Sequence, residues 1–192
     1  MHRKRNNEKQ KRILAIFIIA VMVMSAFGFI LFYTTGSDEI TTTYGRHKIT
    51  QSQTGYSVNI NKQKYLFNFH PTALEQIDIK QISEKVLAKY ELQISYDPEN
   101  QYSQDIAQAS LLIQETMQKQ GINVIFGLTR ENSIYPTITC ETAEKTTIIF
   151  LESNETRVTE ESENCYEINT AIRTDVYKLT DKLRYQILGV TN

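Results

Sequence analysis

One run of residues limits what this chain can fold into before any other is considered. From Ile13 to Tyr33 it reads ILAIFIIAVMVMSAFGFILFY, 21 residues without a charge, and about twenty apolar residues carry a helix across the hydrocarbon core of a bilayer. A helix in a soluble core would show a polar face, whereas only Ser25 and Gly28 break this run. The run predicts a transmembrane helix over 13–33, so the lipid bilayer is the first expected partner.

Ahead of it lies the tail MHRKRNNEKQKR, residues 1–12, with six basic residues against Glu8, and after it come Ser37, Asp38 and Glu39. Positive charge stays on the cytoplasmic side, so the reading is a cell-membrane protein with one span, its N-terminus inside and its C-terminal domain outside. Phe32 and Tyr33 at the outer end suit the headgroup region. The run exceeds the 7–15 residues of a signal-peptide core, and Ala26-Phe27-Gly28 is a poor cleavage site within it. An uncleaved anchor is expected, and a tail of 12 residues is too short to fold, which puts function outside or in what the span touches.

The chain of 192 residues has a formal charge of -1, and since the tail carries +5 the remainder carries -6. That excess argues against nucleic acid as a partner, for which a clustered basic face is needed. Residues 34–43, TTGSDEITTT, read as a polar spacer. The remaining residues, 44–192, suffice for one α/β or α+β domain with its own core.

In that domain Tyr56, Val58 and Ile60 alternate with polar residues, as do Tyr65, Phe67 and Phe69, and RHKIT precedes them. The pattern predicts a three-stranded antiparallel meander ending at Pro71. A helix follows in ISEKVLAKYE, where Ile82, Val86 and Leu87 share a face. Then LQISYDP, a helix with Tyr102, Ile106, Ala109, Ile113 and Met117 in one stripe, Gly121, and INVIFGL spell a βαβ unit. TTIIFLES is a further strand and ETRVTEESENCYEINT a hairpin. A C-terminal helix closes the domain, with Ile172, Val176, Leu179, Leu183 and Ile187 along one stripe and Gly189 at its end.

The chain has two cysteines, Cys140 and Cys165. Outside the cytoplasm such a pair is expected to form a disulfide, worth about 3–4 kcal/mol in the chain-entropy model. Neither has a histidine near it in sequence to make it a nucleophile, and no C-x-x-C or H-x-x-H spacing points to zinc. Asn154-Glu155-Thr156 is an N-glycosylation sequon on an expected surface turn. His70, between a strand and a proline, reads as a structural histidine.

If the two strands of the βαβ unit are parallel, they end on one edge of the sheet, where open α/β sheets bind ligands. Asp97 and Asn100 would then meet Thr129, Arg130 and Glu131, either as a ligand edge or as a surface pair of Asp97 with Arg130. ISYDPENQ followed by INVIFGLTREN resembles zinc-dependent cell-wall amidases in a strand ending at an aspartate and one ending in LTR. Those enzymes place a metal-binding histidine after the first strand, and here Pro98, Glu99 and Asn100 stand there, so no metal or other cofactor is expected.

The whole chain resembles uncharacterised single-span, membrane-anchored proteins of small archaea. The likeness lies in the tail and anchor, YSVNINKQKYLFNFHPTALEQI, ISYDPENQ, PTITCETAEKTTIIFLESNETRVTEESENCYEI and TDKLRYQILG. It implies the same topology and a Cys140–Cys165 pair. The resulting expectation is a non-enzymatic binding or assembly module of the cell envelope, with an envelope or membrane protein as partner. The alternative is a hydrolase or small-ligand enzyme using the edge at Asp97 and Arg130.

Overall fold

The computed structural model describes residues 14–25 and 40–191. The chain divides into two units, residues 1–38 and 39–192. In the first, helix α1 covers residues 14–25, and all its side chains are exposed. Among the described residues no helix is long and apolar enough to cross a membrane. The tail, Ile13, residues 26–33 of the predicted span and residues 34–39 of the predicted spacer lie outside the described residues.

The second unit opens with a four-stranded antiparallel sheet in sequence order, β1 (Ile40–Tyr44), β2 (His47–Ser52), β3 (Gly55–Ile60) and β4 (Gln63–Phe67). The expected meander thus has one strand more, and it comes from the predicted spacer. β1 pairs with β2 from Ile40↔Gln51 to Tyr44↔His47. Thr41, Thr42 and Thr43 are β-branched and suit a strand, a preference hidden by reading the segment as merely polar. Asn61 and Lys62 turn β3 into β4 with φ of 51° and 65°, the left-handed pair whose twist matches a two-residue hairpin.

A 3-10 turn at Pro71–Leu74 leads into α2 (Lys80–Lys89), β5 (Glu91–Tyr96), α3 (Ser103–Lys119) and β6 (Asn123–Leu128). A long loop with a 3-10 turn at Cys140–Thr142 then reaches β7 (Thr147–Glu152), β8 (Arg157–Ser162), β9 (Cys165–Thr170) and α4 (Arg173–Ile187). The strands form a second sheet in the order β6-β5-β7-β9-β8. The βαβ unit is present: β5 and β6 run parallel in register from Glu91↔Asn123 to Tyr96↔Leu128. β7 and β9 join in parallel, and β8 is the one antiparallel member.

Three helices share the main core with this sheet. Ile82 and Val86 of α2, Ile106, Ala109, Ile113 and Met117 of α3, and Val176, Leu179 and Leu183 of α4 are buried with Leu92, Ile94, Ile148, Phe150 and Ile168. Each such side chain other than Ala109 contributes about 1.5–3 kcal/mol when fully buried. Two residues of the predicted stripes fall outside: Leu87 is 40% exposed and Ile172, which caps α4, 53%. α4 also serves the four-stranded sheet, whose core joins Ile49, Val58, Tyr65 and Phe67 to Leu74, Tyr185, Leu188 and Val190.

On the sheet face away from the helices, the loop after β6 folds back. Ser95 Oγ donates to the carbonyl of Ile138 at 2.8 Å. Gly127 lies so close that a Cβ there would meet Ile138 Cγ1 at 2.6 Å and the Pro136 carbonyl at 2.8 Å. The Cys140–Cys165 disulfide ties this loop to β9, with Cα atoms 5.4 Å apart.

Candidate functional site

The parallel strands β5 and β6 end side by side, and the Thr129 N–H donates to the Tyr96 carbonyl at 3.1 Å. This brings Asp97 and Arg130 together: Arg130 Nη2 is 2.8 Å from Asp97 Oδ2, and its Nη1 pairs with Glu99. The two carboxylates hold the guanidinium pKa above its usual value, Glu99 contributing first. All three groups face solvent, Arg130 being 53% exposed, so the cluster adds little to stability. Glu99 completes it, although sequence reasoning assigned that residue no part beyond filling the amidases' histidine position.

Asn100 is buried just behind. Its N–H donates to the Asp97 carbonyl at 3.0 Å and its Oδ1 accepts the Tyr102 N–H at 2.8 Å. That makes it a turn and helix-start residue, which is what a short amide side chain does well. Glu131 does not join the group; it is exposed, on a shallow hollow with Asn132, Tyr135 and Pro136. Gln101, beyond the end of β5, reaches the end of β7, where its Nε2 donates to Glu152 Oε1 at 2.6 Å. The carboxylates at the strand-end edge are thus paired with side chains of the edge itself.

A hollow of about 540 Å³ lies elsewhere, between the turn before α2, the start of β8 and the first turns of α4. Asp78, Arg157, Asp175 and Lys178 line it, two charges of each sign. Lys178 Nζ is 3.3 Å from Asp175 Oδ1. Thr156 donates its hydroxyl to Asp175 and accepts the Ala171 N–H at 3.1 Å. The sequon threonine is thus a link between β8 and α4, while Asn154 is exposed on the turn beside it. Sequence reasoning missed this hollow, since its lining comes from three separated segments with no shared motif.

Two further polar groups serve the fold. His70 accepts the Thr72 N–H on Nδ1 at 3.3 Å, and its Nε2 lies 3.1 Å from Thr42 Oγ1, edge-on to Tyr44 and Tyr56. Burial pulls its pKa down, with Glu75 opposing. Asp181 and Arg184 form a buried pair at 3.2 Å. Asp181 Oδ2 accepts the Asn68 and Phe69 N–H groups at 2.6 and 3.0 Å, Arg184 Nε donates to Thr116 Oγ1 at 2.8 Å, and the guanidinium lies over the Phe67 ring. Burial pushes the Asp181 carboxyl up to about 6, against the pull of Arg184 and the two N–H donors.

Among the described residues no group of three or more His, Cys, Asp or Glu side chains is placed to hold a metal ion. No family model matches the chain, and no curated protein or solved structure matches it either.

Proposed function

We propose that this chain is a membrane-anchored binding or assembly module of the cell envelope. Its tail, 1–12, lies in the cytoplasm, residues 13–33 span the bilayer, and the domain that follows lies outside and engages an envelope or membrane protein. Kinship with the single-span proteins of small archaea belongs to the same proposal. The observation that carries it is the uncharged run behind a basic tail. The described part of that run, helix α1 over residues 14–25, carries no charged residue, as a lipid-facing segment requires.

A binding role is supported over catalysis by the strand-end edge. Asp97 and Glu99 are both engaged by one guanidinium, so neither carboxylate stands free to meet a reacting group. The Cys140–Cys165 bond agrees with an oxidising compartment.

Fractionation tests the location. The full chain should stay in the membrane pellet after alkaline carbonate washing, and external protease should remove the C-terminal domain from intact cells. Recovery in the soluble fraction, or a pair of cysteines that labels as free thiols in untreated cells, would falsify the topology.

A further inference from the structure

Positive charge is spread unevenly through the domain. Residues 40–67, which form β1 to β4, hold Arg46, Lys48, Lys62 and Lys64 and no Asp or Glu, whereas residues 68–192 hold eleven basic against nineteen acidic residues. A sheet with a charge of +4 is thus joined to a remainder of -8.

The register gathers that charge on one face. Ile49, Val58 and Tyr65 are buried, and the residues next to them along each strand turn the other way. Thr43 lies opposite Lys48, Ile49 opposite Val58, and Asn59 opposite Lys64, so Thr43, Lys48, Asn59 and Lys64 form one row across the four strands. All four are exposed, and the two lysines stand two strands apart, about 10 Å. The turns at Gly45-Arg46 and Asn61-Lys62 both close the end of the sheet beside this row, which brings two more exposed cations to it. Among the described residues no carboxylate pairs with any of these four cations. Leu66, 57% exposed, belongs to the same face one row further on, opposite Ser57.

We propose that this face rests on the anionic phosphate headgroups of the bilayer that anchors the chain. The sequence sets its reach: six residues lie between Tyr33, the end of the predicted span, and Ile40, the start of β1, a stretch that covers at most about 25 Å. The sheet is thereby kept close to the headgroups. There a negative surface attracts each Lys and Arg and repels the acidic remainder, which turns this face and not another toward the lipid. Asn59, between the two ammonium groups, offers amide donors to a phosphate oxygen, and Leu66 adds an apolar contact. A soluble anionic polymer would meet the same charges, but the anchor holds lipid within reach and holds no polymer there. The inference rests on the anchored reading and deepens it by naming the lipid chemistry.

The chain has no tryptophan, so Leu66→Trp supplies a single probe on this face, and the test places that full chain in lipid nanodiscs. In discs containing about one third phosphatidylglycerol its emission should shift to the blue, and a nitroxide-headgroup lipid should quench it. In discs of phosphatidylcholine alone neither should happen. Raising salt from about 0.1 to about 1 M shortens the screening length from about 10 to about 3 Å and should undo the shift. Adding Lys48→Glu and Lys64→Glu should lower the docked-to-undocked ratio at least about tenfold with an unchanged melting temperature. Lys80→Glu with Lys89→Glu, the same charge change on α2, should leave that ratio as it was. Should either variant unfold, Thr43→Trp and Lys48→Gln with Lys64→Gln take their places. A chain that fails to enter the discs removes the anchored reading and this one with it. A chain that enters them and emits alike in both lipids overturns the docking alone. So does a shift that both lysine pairs abolish equally, or one that soluble polyphosphate produces in neutral discs when the anionic lipid does not.

Discussion

At the scale of single residues the decisive groups are those whose charge is buried. Asp181 and Arg184 have relative side-chain exposures of 0% and 2%. Removing one member strands the other without its counter-ion, which costs about 3–5 kcal/mol. Asp181→Ala should therefore destabilise the domain by that amount in urea unfolding, and a loss below about 1 kcal/mol would mean the pair is not formed as described. His70 makes a second prediction, in pH. Burial lowers its folded pKa below the ordinary 6.5, so the unfolded chain binds the proton more readily. Its contribution to stability is complete above that value and is lost as pH falls toward the folded pKa. Unfolding free energy measured between pH 7.5 and 5.5 should decline less in His70→Gln than in the wild type. The histidine was legible as structural from its setting, but the ion pair was not. In TDKLR, Asp181 and Arg184 look like the solvated side of an amphipathic helix, since nothing in a single segment announces that a second sheet will cover that side.

At the scale of elements, periodicity was a sound guide wherever an element buries one face. The α3 stripe and the parallel βαβ unit follow from spacing alone. It failed where a partner decides: β1 exists because β2 lies beside it, and Ile172 leaves its stripe because the chain there is still extended ahead of α4. The candidate edge was legible as a meeting of Asp97 with Arg130, whereas the part taken by Glu99, Gln101 and Glu152 depends on loop paths that no pattern encodes. The loop between β6 and β7 gives the element-scale predictions. Its close approach at Gly127 leaves no room for a methyl group. Gly127→Ala should push Ile138 and Pro136 off the sheet and cost about 1–3 kcal/mol, the usual range for overpacking. Replacing Cys140 and Cys165 together by serine should lower stability by about 2–4 kcal/mol. In both variants amide exchange should quicken first at Ile138, whose N–H bonds to Leu128; unchanged exchange there would show that the loop is held by something other than these contacts.

At the scale of the whole domain, residues 39–192, the organising fact is that α4 belongs to both cores. Val176, Leu179 and Leu183 pack with the five-stranded sheet, while Tyr185 stacks on Phe67 of β4 with ring centroids 3.7 Å apart and donates its hydroxyl to the Phe69 carbonyl at 3.0 Å. Between these contacts Asp181 holds the main chain just after β4 and Arg184 reaches Thr116 on α3. The four-stranded sheet cannot lift away without exposing those apolar groups and separating a buried charge from its donors. Sub-global opening of that sheet is thus as costly as unfolding the whole, which is the condition for a single cooperative unit. Native-state hydrogen exchange should return the same opening free energy for Val58 in β3 as for Ile149 in β7, both matching global unfolding. In Asp181→Ala the two values should separate, with Val58 exchanging at lower free energy. Equal values in that variant would mean that apolar packing around Tyr185 suffices to join the sheets, and a gap already present in the wild type would mean that α4 does not couple them at all.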